Sequence, residues 1–123
     1  MKAPEDNIIV QKSFDFAVRC VNLYKHLCYK SNHKEYVISK QLVRSGTSIG
    51  ANIEEAVGAH STADFLAKLS IAYKEARESR YWIKLLYHTG YINEAEYNSL
   101  INDLENITNI IAKIKLTTEK NNA

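Results

Sequence analysis

Proline occurs once and glycine four times in these 123 residues. The chain is therefore short of the two residues that most often interrupt regular backbone, and what remains is a helix-rich profile. Cysteine is scarce as well. Cys20 and Cys28 fall on one expected helix, roughly 12 Å apart along its axis, too far for a bridge. That excludes a disulfide-stapled scaffold and points to reduced, buried thiols. No apolar run is long enough to span a bilayer, because charges interrupt every few residues, and the first residues lack the basic start, apolar stretch and cleavage site of a secretory signal. The expectation is a cytoplasmic protein that does not enter a membrane.

What is present suits one domain over residues 1–123: 46% hydrophobic and 24% charged residues, in a chain long enough to bury a core unaided. Apolar spacing and punctuation predict helices at about 7–28, 35–58, 62–89 and 94–117, with 1–6 and 118–123 frayed. In the first, Val10, Phe14, Ala17, Val21, Tyr24 and Cys28 recur at steps of three and four and are expected to face the core, opposite Lys12, Arg19, His26 and Lys30. In the second, Ile38, Leu42, Ile49, Ile53 and Ala56 carry the period. Its middle (Ser45, Gly46, Thr47, Ser48, Gly50, Ala51) is poor in helix formers. The period nevertheless continues through it, and small residues let helices approach closely. Ser61 with Asp64 makes a near capping box for the third helix, whose seam of Phe65, Leu69, Ala72, Ala76, Ser79, Ile83 and Leu86 stops at Gly90. Asn93 with Glu96 opens the fourth, carried by Tyr97, Leu100, Leu104, Ile107, Ile111 and Ile114. Short connections make neighbours antiparallel, which closes an all-α, up-down-up-down four-helix bundle.

The third helix has more apolar surface than its seam needs. Ile71, Tyr73, Tyr81, Trp82 and Leu85 lie outside the stripe; such a face either buries against another subunit or widens the core contact of a long central helix. Tyr73, Tyr81, Trp82 and Leu85 are accordingly the candidates for an oligomer interface.

Catalytic patterns are missing. No Glu is followed three residues later by His, which excludes the di-iron bundle motif. His26, His33, His60 and His88 are scattered, whereas a closed zinc site needs four ligands. The Gly-Thr-Ser-Ile-Gly stretch at Gly46 lacks the lysine of a phosphate loop. Glu54 and Glu55, being adjacent on a helix, point about 100° apart and cannot flank one bond, and no Ser or Cys has a visible base. The reading is non-enzymatic, with no cofactor and no metal. Ser48, Asn52 and Glu55 instead suit a polar layer that fixes helix register.

Net charge is only +2, yet it is uneven. From Lys12 to Arg44 seven bases face two acids, and residues 91–111 hold four acids and no base. The stripe of Lys12, Arg19, Lys30, Lys40 and Arg44 fits either a groove tracking a phosphate backbone without reading sequence or a solvated helix face.

The stretches QLVRSGTSIGANIEEAVGAHS (Gln41 to Ser61) and DFLAKLSIAYKEARES (Asp64 to Ser79) resemble the 23S rRNA intervening-sequence proteins. The likeness spans about Val10 to Ile114. It rests on Gln41, Leu42, Arg44, Ser48, Ile49, Asn52, Ile53 and Glu55, and on Phe65, Leu69, Ala72 and Glu78 of the third helix. Departures occur at Ala56, where many members have Gly, at Ala59, where many have a base, and at Lys74-Glu75, where many have Gly-Ser. The resemblance implies a four-helix bundle assembled as a homopentamer, a barrel around a central channel, with no established enzymatic activity. It also implies kinship with the accessory proteins of diversity-generating retroelements, which bind reverse transcriptase and nucleic acid. Two functions follow as expectations: an oligomeric scaffold associated with RNA or DNA, or a protein-binding or purely structural oligomer.

Overall fold

Each helix of the computed structural model, which describes residues 4–122, begins and ends where local chemistry dictates. Helix α1 spans Pro4–Lys25 and runs on into a wider π-helical turn, His26–Lys30. Helix α2 covers Ile38–Val57, α3 Thr62–His88 and α4 Glu94–Asn121. Ser61 Oγ accepts the amide of Asp64 at 3.0 Å to start α3. At α4 the capping box is complete, Asn93 Oδ1 accepting from Glu96 N at 2.8 Å and Glu96 Oε1 accepting from Asn93 N at 3.0 Å. Gly90, at φ 86°, takes the left-handed conformation that turns the chain out of α3. Boundaries differ from the expected ones at α1, α2 and α4. Helix α1 is already helical at Pro4, within the stretch expected to fray, instead of starting near residue 7. Helix α2 starts at Ile38 because the preceding residues fold into a cap described below. Helix α4 passes Thr117 to reach Asn121. Part of the expected fraying concerns residues 1–3 and 123, which lie outside the described residues.

The helices alternate in direction and pack in the cyclic order α1, α2, α3, α4, with α2 and α3 sharing the most extensive interface. The expected seams of α2, α3 and α4 line the core: Leu42, Ile49, Ile53 and Ala56 face Leu69, Ala72, Ile83 and Leu86, closed by Leu104, Ile107 and Ile111. Helix α1 is the exception. Its buried residues are Ile9, Ser13, Phe16, Cys20 and Leu27, a stripe rotated by about a residue, or ~100°, from the expected Val10, Phe14, Ala17, Val21 and Tyr24. Of the expected set only Cys28 is buried, and Phe14 is 62% exposed.

The reason lies on α2. A Cβ placed on Gly46 would meet Cys20 Sγ at 2.4 Å and Phe16 at 3.4 Å, and one placed on Gly50 would meet the backbone oxygen of Ser13 at 3.4 Å. The two helices touch through glycine on one side and Ser13 and Cys20 on the other. A face bearing Phe14 and Val21 would not come so near. Gly46→Ala should therefore destabilise the protein by about 1–3 kcal/mol, although Ala is the better helix former. Gly50→Ala, whose Cβ finds ordinary contact distances, should leave the melting temperature unchanged or raised. Thermal unfolding of the two variants checks both.

Candidate functional site

Polar side chains inside the bundle are all spoken for: among the described residues no buried side-chain nitrogen or oxygen lacks a partner. Ser45 and Ser79, both fully buried, join α2 to α3 through a hydroxyl pair at 2.8 Å, and Ser79 donates onward to the Glu75 carbonyl at 2.9 Å. Asn52 is buried and its amide nitrogen donates to Ser48 O at 2.8 Å and to Ser48 Oγ at 3.2 Å, so Asn52 and Ser48 do meet. Glu55 does not join them. It is exposed and pairs with Lys68 of α3 at 3.1 Å, a correction to the expected buried layer. A helix whose inward positions are taken by Asn52, Ile53 and Ala56 points residue 55 outward.

Burial pushes the Cys20 thiol up to about 12, against the opposing charge of Arg19; such a thiol is no nucleophile at neutral pH. Cys28 is also buried and free, its thiol directed at the Glu35 carbonyl at 3.6 Å. Among the described residues no three His, Cys, Asp or Glu side chains converge as metal ligands. The four histidines are exposed.

The basic stripe comes apart in three dimensions. Arg19 donates to Asp103 of α4 at 2.6 Å. Arg44 is held by Glu78, by Glu75 at 3.5 Å and by Gln41 at 3.0 Å, while Glu78 also accepts the Trp82 indole N–H at 3.0 Å. Lys12 lines a cleft of about 230 Å³ with Asp15, Asp103 and Asn106. Two of the five expected phosphate contacts are thus spent on ion pairs between helices and a third sits among acids. Lys30 and Lys40 remain exposed, and among the described residues neither pairs with a carboxylate.

The interface candidates also divide. Tyr73, Trp82 and Leu85 are half-buried, the first two packed against the core, whereas Tyr81 is 56% exposed with its ring edge-on to Trp82 at 5.0 Å. Helix α1 supplies an apolar face that periodicity had assigned to the core. Val10, Phe14, Ala17, Val18 and Val21 run along one side with no charge among them, Phe14 and Val18 being the exposed members.

Glu35 was legible only as one acid among many bases. Its carboxylate is buried and accepts three amides, Val37 N at 2.7 Å, Ile38 N at 2.8 Å and Ser39 N at 2.6 Å, which are the otherwise unpaired donors at the start of α2. The Ser39 hydroxyl returns a bond to the Glu35 carbonyl at 3.0 Å. The available signal was its place, a lone acid just before the apolar period begins.

The family model described as 23S rRNA-intervening sequence protein matches residues 5–113. A crystal structure from Bacteroides thetaiotaomicron, described as a protein of unknown function from the S23 ribosomal protein family, is similar at 52% identity over 90% of this chain and 97% of that one, with a TM-score of 0.87. No curated protein matches.

Burial raises the Glu35 carboxyl, and the three amide bonds more than offset it, so its pKa lies below the usual carboxylate value. A depressed folded-state pKa contributes stability that is fully present above the unfolded value of about 4.3 and is lost as pH falls through the folded value. Glu35→Ala should cost about 2 kcal/mol at pH 7. The gap between variant and parent should narrow toward pH 3, as thermal melts at the two pH values will register.

Proposed function

We propose, since this chain belongs to the 23S rRNA-intervening sequence protein family, that it acts as a non-enzymatic, self-associating helical scaffold. The observation that carries this reading is the uncharged stripe on α1, with Phe14 62% and Val18 43% exposed, on a bundle whose core is already closed by other residues. Tyr81, an open aromatic at 56% exposure, lies on α3. Apolar helix faces of this kind are covered when copies pack side by side. A ring of five bundles, acting in the cytoplasm as a structural or binding platform, is the arrangement we favour. No helix of the described residues is long and apolar enough to cross a membrane.

Association with nucleic acid is a second reading. One observation favours it: the lysines between residues 25 and 40 lie beside a single carboxylate, and that carboxylate is turned inward. A multi-copy assembly would repeat this charge and add weak contacts through multivalency. Kinship with retroelement accessory proteins belongs to this reading as well.

Light scattering at micromolar concentration should give a multiple of the chain mass, five copies in the favoured arrangement. Phe14→Glu with Val18→Glu should reduce it to one copy while circular dichroism stays helical, because both side chains are already open in the single bundle. A monomeric parent, or an oligomer indifferent to this pair and to Tyr81→Glu, would remove the proposal.

A further inference from the structure

Around the connection between α1 and α2 the chain concentrates free positive charge and open aromatic rings. Lys25, Lys30, Lys34 and Lys40 are exposed, and among the described residues none lies within ion-pair distance of a carboxylate. The one acid of the segment, Glu35, is 6% exposed and saturated by three backbone amides, so it cannot serve as their counter-ion. Between the lysines stand Tyr29, 73% exposed, and Tyr36, 63% exposed. The backbone folds these into one surface: Glu35 N donates to Leu27 O at 3.0 Å and Ser31 N to His26 O at 2.9 Å, which draws residues 34–36 alongside the π turn. Acids at this end of the bundle belong to the start of α4, Glu94 and Glu96, on a helix that packs against α1 and α3, with Glu96 engaged in its own cap.

We infer that this end of the bundle binds single-stranded nucleic acid, Lys30, Lys34 and Lys40 neutralising phosphates while Tyr29 and Tyr36 stack on unpaired bases. Charge complementarity selects a polyanion. The rings select among polyanions, since an exposed tyrosine offers an unpaired base a face on which to stack, whereas the bases of a duplex are already stacked on each other. Neither surface reads base edges, so recognition is indifferent to sequence. The inference rests on the second reading above, that the scaffold meets nucleic acid at all. It does not depend on assembly, because one bundle carries the whole surface.

The test is a titration of a labelled oligouridine RNA, of a duplex of equal length and of polyglutamate, each at several salt concentrations, against the full chain. Tighter binding of the single strand than of the duplex is expected. Lys30→Glu with Lys34→Glu should flatten the dependence of log affinity on log salt by about 1.4 or more, at ~0.7 per phosphate contact. Tyr29→Ala with Tyr36→Ala should weaken the single strand by about tenfold per ring and leave the duplex unchanged. All four side chains are exposed, so circular dichroism should match the parent. Absence of binding to either nucleic acid at low salt would overturn the second reading itself. Binding that survives both variant pairs would overturn only this placement. Polyglutamate held as tightly as RNA, with the tyrosine pair silent, would assign the surface to an acidic protein partner and refute the inference.

Discussion

The close approach of α1 to α2 through Gly46 and Gly50 decides most of what the surface looks like. Because Cys20 and Phe16 lie against a residue with no side chain, α1 must present its Ile9, Ser13, Phe16, Cys20 face inward, and its other apolar side is left outside. The same contact explains why α2 tolerates a run of poor helix formers: tertiary packing outweighs a propensity deficit of under about 1 kcal/mol per residue. The serine pair at Ser45 and Ser79 lets α2 and α3 meet at short range without stranding either hydroxyl. Asn52, bonded back to Ser48 on its own helix, fills its place without needing a partner across the interface.

Charge is distributed by the same geometry. Arg19 with Asp103, Arg44 with Glu75 and Glu78, Lys68 with Glu55, and Arg80 with Glu105 connect adjacent helices around the bundle. Pairs this exposed contribute little stability each. They engage Arg19, Arg44, Lys68 and Arg80, whereas Lys25, Lys30, Lys34 and Lys40 around the α1 to α2 connection have no such partner among the described residues. A net charge of +2 conceals this polarity.

The architecture and three of the four core seams were legible in the sequence, because α2, α3 and α4 each carry one dominant apolar stripe bounded by caps such as Asn93 and Glu96. Helix α1 was not, since it carries two such stripes one residue apart, and the choice between them is made by Gly46 and Gly50 on another helix. Periodicity cannot see that partner. The basic residues illustrate a similar limit: sequence displays the sign of Arg19 and Arg44, but their acids lie 84 residues away at Asp103 and 31 residues away at Glu75. Glu35 fell between these cases. Its cap is local, yet a carboxylate folded back onto three amides has no period to announce it, so sequence pattern alone extends the helix over the segment before Ile38.

The burial of Cys20 beneath Gly46 gives the chain an internal reporter of its own breathing. A thiol with this contact cannot meet an alkylating reagent while α1 and α2 stay together, so its modification rate in the native protein measures how often that seam opens. Cys28, buried under the Glu35 carbonyl at the end of the same helix, reports separately on the connection between the two helices. With no other sulfhydryl in the sequence, the two rates resolve whether the bundle loosens first along its length or at its end.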